Sequence, residues 1–200
     1  MVKVGEKIGP YEIHQLLGQG GMAAVYKVWN SDLHRYEALK MPLAAGQDAD
    51  FIQRFLGEAR TVAGLQHPHI AAIYTVSGAQ SPQPSFTMEM VEGGDLGELI
   101  HARGRLPLDE VLPIIRQIAA AVDFAHNHGL IHRDIKPANI LLKPETNGFT
   151  VKVVDFGISK SMDDSGTRLT KTGMFIGTPE YMSPEQAGSG DAVDHHTDQY

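Results

Sequence analysis

Apolar and polar positions along residues 11–40 follow the short period of β-strands. Tyr11 and Ile13, then Val25, Tyr26 and Val28, then Ala38 and Leu39 are separated by turn-forming clusters at 18–21 and 30–32. β-Branched, aromatic and small apolar residues broken by Gly, Asn and Asp predict a glycine-tipped hairpin and a third strand ending at Lys40. The period then lengthens. Phe51, Phe55, Ala59 and Val62 recur at spacings of three and four, with Asp48 or Asp50 placed to cap the start, so 48–65 reads as a helix that His67-Pro68 stops. Strands are expected at 70–76 and 86–91, on either side of a Ser/Pro/Gln turn. Beyond a break at Gly93-Gly94 the chain turns helical, with a short helix at 95–102 and a long one at 108–128. The long helix carries Val111, Ile114, Ile115, Ile118, Val122 and Ala125 on one face, and Gly129 ends it. Its Pro113 falls in the first turns, where proline costs least. Short apolar runs at 140–142 and 151–154 flank a turn at 144–148, and the polar stretch 163–172 reads as a mobile loop. The expected class is α+β: a β-rich piece with one helix, then a mainly helical piece.

Composition narrows the chemistry. With 200 residues of which 42% are hydrophobic, the chain can build a packed core of one domain or slightly more. A net charge of −7 argues against a nucleic-acid footprint. There is no cysteine, which removes disulfides, thiolate nucleophiles and zinc–thiolate sites and fits a cytoplasmic setting. The start, Met1-Val2-Lys3-Val4-Gly5-Glu6, has no apolar signal core. No run of about 18 apolar residues offers a membrane span.

One stretch concentrates reactive groups. Ile131-His132-Arg133-Asp134-Ile135-Lys136-Pro137-Ala138-Asn139, followed by Asp155-Phe156-Gly157, supplies in order a carboxylate, an ammonium, an amide and a second carboxylate. Phosphoryl transfer from a magnesium nucleotide needs that set: a carboxylate for the hydroxyl proton, a cation on the moving phosphate and two oxygen ligands for metal. Leu17-Gly18-Gln19-Gly20-Gly21-Met22-Ala23-Ala24-Val25 sits at the expected hairpin tip. Glycines there let backbone N–H groups approach phosphate oxygens, although a tight hairpin turn alone would also use them. Lys40, taken singly, reads equally as a solvated strand-end lysine, and Glu58 as a surface charge, but Phe55, Ala59 and Val62 place Glu58 near the inward helix face. Gly57 beside it costs on the order of 1 kcal/mol of helix propensity relative to alanine. His126, His128, His195 and His196 show no spacing that favours a metal site.

HRDxxxxN and DFG, in this order, resemble the catalytic and metal-binding loops of the protein kinase family. The runs GQGGMAAVYK and GTPEYMSPEQAGSGDAVDHHTDQY are similar to bacterial eukaryotic-like serine/threonine kinases, and the likeness covers residues 11–200. It implies a two-lobed kinase fold: an N-lobe at 11–92 with a small antiparallel sheet and one helix, and a partial C-lobe at 93–200. It implies ATP and Mg2+ as cofactors, with Mn2+ admissible in its place. Asp134 would be the base, Lys136 the clamp on the transferring phosphate, and Asn139 and Asp155 the metal ligands. Lys40 would contact the α- and β-phosphates and pair with Glu58. Residues 17–25 would cover the phosphates, with the family's third glycine replaced by Ala23. Val25, Ala38 and Leu141 would enclose adenine, Met88 would guard the back of the pocket, and the backbone from Glu89 to Val91 would bond the base. His132 and Phe156 would pack in one apolar stack.

Lys136, two residues after Asp134, marks the serine/threonine class by resemblance. Thr178 in Gly177-Thr178-Pro179-Glu180 would bond Asp134 and Lys136. Glu185 in Ser183-Pro184-Glu185 would pair with a distal arginine that this chain lacks. Thr170 or Thr172, with Thr167 beside them, would be phosphorylated and pair with Arg133, through a kinase–kinase dimer acting in trans. Asp198-Gln199-Tyr200 is similar to the start of a buried central helix, DxYSLG, whose aspartate would hold the catalytic-loop backbone. The resemblance thus implies a C-lobe lacking its last helices, a fragment of a longer enzyme that could be membrane-anchored, and an exposed apolar underside along 111–125. The function expected is transfer of the ATP γ-phosphate to protein Ser/Thr hydroxyls, including autophosphorylation. The alternative is a truncated non-catalytic nucleotide-binding or scaffold module. The segment GTPEYMSPEQ argues against small-molecule phosphotransfer.

Overall fold

A computed structural model describes residues 2–43, 49–78, 80–156, 179–187 and 193–200. The chain divides into two compact units, residues 1–66 with 71–90 and residues 67–70 with 91–200.

Among its described residues, the first unit is a six-stranded antiparallel sheet with one helix. Its strands are β1 (Lys7–Ile8), β2 (Tyr11–Gln19), β3 (Ala23–Asn30), β4 (Arg35–Pro42), β5 (Ile73–Val76) and β6 (Phe86–Glu89), in the order β1-β2-β3-β4-β6-β5. β1 is an addition to the expected strands. Ile13, Ala24, Tyr26, Val28, Leu39 and Met41 pack into a core on one sheet face. Glu37 is fully buried on β4, where its Oε1 accepts from Asn30 Nδ2 at 3.1 Å and Arg35 Nε at 2.8 Å. Asn30 Oδ1 in turn accepts the Asp32 and Leu33 amides, so the carboxylate fixes the β3–β4 turn. The helix α1 (Ala49–Ala63) buries Phe51, Phe55, Leu56, Ala59 and Val62, the stripe that the spacing predicted with Leu56 added. Asp50 lies in its first turn, whereas Asp48 is outside the described residues. An added Cβ at Gly57 would meet open space, so packing does not require glycine there.

Among its described residues, the second unit holds α2 (Leu96–Arg103), α3 (Leu108–Asn127), the hairpin β7 (Ile140–Glu145) and β8 (Gly148–Val153), a short α4 (Pro184–Ala187) and the 3-10 turns Pro137–Asn139, Pro179–Tyr181 and His195–Gln199. Asp95 caps α2 in a reciprocal box with Glu98. At Gly93, where φ is +155°, a side chain would collide with the Leu142 carbonyl, so close backbone approach explains the glycine.

Three local expectations shift. Ile70 does not open β5: it makes an isolated parallel bridge with Val153, and the strand begins at Ile73. The turn expected at 144–148 shrinks to Thr146-Asn147 because Pro144 and Gly148 are absorbed into the strands. Proline is tolerated there because a two-stranded ladder has only edge strands. Pro113 is the sixth helical residue of α3, past the free first turn, and it removes one intrahelical N–H donor. Gln117, one turn on, joins α3 to β8: its Nε2 donates to the Phe149 carbonyl at 3.0 Å and its Oε1 accepts the Val151 amide at 2.9 Å. Within this unit Ile115, Ile118 and Val122 of α3 line an open cavity of about 870 Å3 with Leu96, Ile135 and Tyr200. Ile115 is 51% exposed. No described helix is long and apolar enough to cross a membrane.

Candidate active site

Cross-strand partners share a sheet face. Val25 stands opposite Lys40, Ala38 opposite Met88, and Lys40 opposite Phe86. These residues therefore line one face of the first unit, while Ala24 belongs to the core of the other. Helix α1 packs on the Lys40 face through the Phe55–Phe86 rings, 5.1 Å between centroids. Lys40 is buried, and Glu58, one turn beyond Phe55, is half-buried on that helix. A buried ammonium on an apolar face is costly in isolation, which makes Lys40 more than a strand-end charge. Ala38 and Met88 are buried and Val25 is half-buried. The Glu89 amide donates to the Ala72 carbonyl at 2.8 Å.

The hairpin over residues 17–25 pairs as far as Gln19 with Ala24, and the Gly20 amide donates to the Ala23 carbonyl at 2.9 Å. Leu17 and Gln19 are exposed; Met22 and Ala23 are half-buried. Gly18, Gly20 and Gly21 all have ordinary φ, and an added Cβ would meet nothing closer than 3.9 Å. Neither backbone strain nor packing calls for glycine at this tip. Bare backbone open to solvent is what a phosphate-covering loop requires.

In the second unit the backbone of the 131–139 segment is tied down at residues 132–134, 136, 137 and 139. His132 is fully buried; its Nε2–H donates to the Val154 carbonyl at 2.9 Å, and its Nδ1 accepts the Asp134 amide at 3.2 Å. That pairing fixes the tautomer and joins the loop to the end of β8. The ring also packs on Phe156, 4.6 Å between centroids. Asp134 Oδ2 lies 2.8 Å from Lys136 Nζ and accepts Asn139 Nδ2 at 3.0 Å. Asn139 Nδ2 also donates to the Asp134 carbonyl, so both amide hydrogens are engaged. The Asn139 carbonyl accepts the Val154 amide at 3.0 Å, which brings Asn139 beside the residue preceding Asp155. Arg133 and Asp155 have φ of +64° and +62°. Such backbone costs on the order of 1–3 kcal/mol per residue and persists only where neighbours enforce it.

Burial pushes the His132 imidazole below its ordinary value, against the opposing pull of Asp198 and the bond to Val154. Its folded pKa therefore lies under the unfolded value of about 6.5. The unfolded chain takes up the proton first, so this contribution to stability is complete above about pH 6.5 and is lost as pH falls toward the folded pKa. The thermal midpoint should be flat above that pH and decline below it. His67 is lowered as well, mainly by burial, so the assignment needs the variant His132→Gln. Its melting curves should show a shallower decline between pH 6.5 and 5; an identical decline would remove His132 as the cause.

Residues 183–186 and 197–198 supply the enforcing partners. Asp198, its side chain fully buried, accepts the His132 amide at 2.7 Å and the Arg133 amide at 2.6 Å, and His126 Nε2 donates to it at 2.8 Å. Gln186 Oε1 accepts the Ser183 amide at 3.1 Å, and its Nε2 donates to the Arg133 carbonyl at 2.7 Å. Thr197 Oγ1 bonds Ser183 Oγ and donates to Glu185 Oε1 at 2.6 Å. Glu185 thus has a partner within the chain, although the resemblance gave it a distal arginine. Reading the sequence missed Gln117, Gln186 and Thr197. Ser183-x-x-Gln186 is a capping-box signature that could have flagged the local half of the Gln186 role.

This loop joins a carboxylate, an ammonium and an amide in one hydrogen-bonded group beside a second carboxylate. The family model described as "Protein kinase domain" matches residues 11–200. The chain belongs to the protein kinase family. It is 41% identical over 194 residues to serine/threonine-protein kinase PknB of Mycobacterium tuberculosis, covering 95% of this chain and 30% of that protein. It is also 41% identical over 196 residues to a probable serine/threonine-protein kinase of Streptomyces coelicolor, with 96% and 28% covered. The chain thus spans about 30% of the length of these curated relatives. Among solved structures, the M. tuberculosis PknI kinase domain matches with a TM-score of 0.76 at 30% identity, covering all of this chain and 72% of that one. Rad53 1–466 in complex with AMP-PNP matches with a TM-score of 0.70 at 27% identity, covering 89% and 42%.

The kinase-like α+β fold is therefore established, and with it the bacterial serine/threonine relationship. The chemistry of Asn139 and Asp155 suits a hard divalent cation. With both Asn139 amide hydrogens engaged, its Oδ1 would be the atom to meet such an ion, and Asp155 would add a carboxylate oxygen. Leu141 is half-buried on β7 and Val91 is buried. Thr167, Thr170, Thr172 and Thr178 lie outside the described residues.

Proposed function

We propose that this chain is the catalytic part of a serine/threonine protein kinase, with an N-lobe at 11–92 and a partial C-lobe at 93–200, which transfers the γ-phosphoryl group of ATP to Ser or Thr hydroxyls of proteins. The observation that carries the reading is the contact of Asp134 with both Lys136 and Asn139, at 2.8 and 3.0 Å. Asp134 accepts the proton of the attacking hydroxyl, Lys136 offsets charge on the transferring phosphoryl, and Lys40, partnered by Glu58, holds the α- and β-phosphates. Backbone amides of residues 18–23 cover the phosphates. Val25, Ala38 and Leu141 enclose adenine, Met88 backs it, and the Glu89–Val91 backbone bonds it. Asn139 and Asp155 hold Mg2+, or Mn2+ in its place, which when bound offsets phosphate charge. The AMP-PNP held by Rad53 and the serine/threonine class of the named relatives support the nucleotide and the acceptor.

In this reading Thr178 bonds Asp134 and Lys136, and two copies phosphorylate one another at Thr170 or Thr172, with Thr167 a further acceptor. The domain acts in the cytoplasm, free or as part of a longer membrane-anchored protein. Incubation with Mg-ATP and a Ser/Thr protein acceptor, followed by phosphosite mapping by mass spectrometry, tests both parts. Phosphate is expected on the acceptor and on one of the three threonines. An unmodified acceptor overturns the transferase reading. A modified acceptor with three bare threonines overturns only the autophosphorylation.

A further inference from the structure

Chain spacing gave no metal signal for His195 and His196, but the last 3-10 turn sets Asp194 and His195 against His196, and none of the three has a part in phosphoryl transfer as proposed above. We propose that these three side chains form a binding site for a first-row transition-metal ion of the Zn2+ class.

Each residue offers one ligand atom, and these atoms lie within 4.8 Å of one another. Two are already at coordination spacing. His196 Nδ1 is 3.0 and 3.2 Å from the two Asp194 carboxylate oxygens. Ligands bound at about 2.0–2.2 Å to a tetrahedral or octahedral ion stand roughly 2.9–3.4 Å apart. An ion between them replaces the proton that these groups share, and the imidazole takes its other tautomer. The His195 ring lies tilted by 34° against His196, 4.1 Å between centroids, so rotation of this exposed ring supplies the third ligand. Solvent completes the shell.

Asp194 is suited to the task. Its Oδ1 accepts the His196 amide at 2.9 Å. That same amide bond caps the turn, so the ligand is held in place by the backbone it serves. Two imidazoles with one carboxylate select Zn2+, Ni2+ or Cu2+ over Mg2+ and Ca2+, which prefer all-oxygen shells. No other group of three such ligands meets the same spacing among the described residues. The turn continues to Asp198, and the His195 ring meets the edge of His126, the donor to Asp198, at 5.8 Å. An ion here therefore stiffens the turn from which the catalytic-loop backbone is held.

The test is calorimetric titration of the tag-free chain with ZnCl2, in nucleotide-free buffer containing millimolar Mg2+. One equivalent is expected to bind, and Co2+ in its place should give visible d–d absorption. His195→Ala, His196→Ala and Asp194→Asn should each weaken uptake by about tenfold or more. Asparagine retains the oxygen that caps the turn, so unchanged circular dichroism melting for that variant separates ligand loss from misfolding. No uptake, displacement by Mg2+, or unchanged affinity in the two histidine variants overturns the site.

Discussion

Asp134→Asn is expected to lower phosphoryl transfer by about two to four orders of magnitude while leaving Mg-ATP affinity within a few-fold of the parent chain. The substitution preserves shape. The Asp134 amide still donates to His132 Nδ1, and the backbone carbonyl still accepts Asn139 Nδ2, so the loop keeps its path. What disappears is the negative oxygen that faces Lys136 at 2.8 Å and Asn139 at 3.0 Å. An amide cannot take up the hydroxyl proton, and its own N–H groups compete with two donors already aimed at that position. Nucleotide affinity is assigned chiefly to other groups, so binding and turnover should separate. Transfer from radiolabelled ATP to a Ser/Thr protein, set beside the dissociation constant for Mg-ATP, measures both. Undiminished transfer would remove Asp134 as the base. Loss of nucleotide binding as well would point to a damaged loop.

The short-range part of this architecture was legible in the sequence. The α1 stripe, the short helix after Gly93-Gly94 and the glycine-tipped hairpin are set by residues a few positions apart, where helix and strand periods leave a mark. Local signals failed where distant segments compete. Ile70 has strand propensity, but its ladder partner is Val153, so it joins a bridge outside the expected strand. Pro144 reads as a turn residue, yet a lone hairpin tolerates it in a strand. In the site, the charged groups were visible because phosphoryl transfer demands those side-chain types at close spacing. The polar supports were not. Gln186 reaches Arg133 across 53 positions and Gln117 reaches Val151 across 34, and a glutamine carries no charge or periodicity to announce such a bond. Asp198 was readable only through the family resemblance. Its buried contacts with residues 132 and 133 span 66 and 65 positions.

Those contacts make Asp198 the position where a single change is expected to harm both stability and rate. Asp198→Ala removes the acceptor for the His132 and Arg133 amides and for His126 Nε2 at a fully buried position. Hydrogen bonds to a charged acceptor contribute about 1.5–3 kcal/mol each, and buried donors left unmatched carry their own desolvation cost. Water entering the vacated space recovers some of this, so a net loss of about 3–5 kcal/mol is expected. For a chain of this size that is a fall in thermal midpoint on the order of 10 °C. Asp198→Asn should rescue little, since its NH2 group must face an N–H donor on one side. The rate effect has a separate origin. Arg133 sits at φ +64° between the Asp198-bound amide and the Gln186-bound carbonyl. Released on the amide side, it relaxes toward ordinary φ and carries Asp134 with it. A displacement of about 1 Å at a reacting group costs roughly 10²-fold in rate. Assayed below both melting midpoints, the variant should therefore show transfer reduced by about that factor, with Mg-ATP affinity little changed. A melting shift under about 1 °C, or a full rate in folded protein, would show that the loop holds its strained turn without this carboxylate.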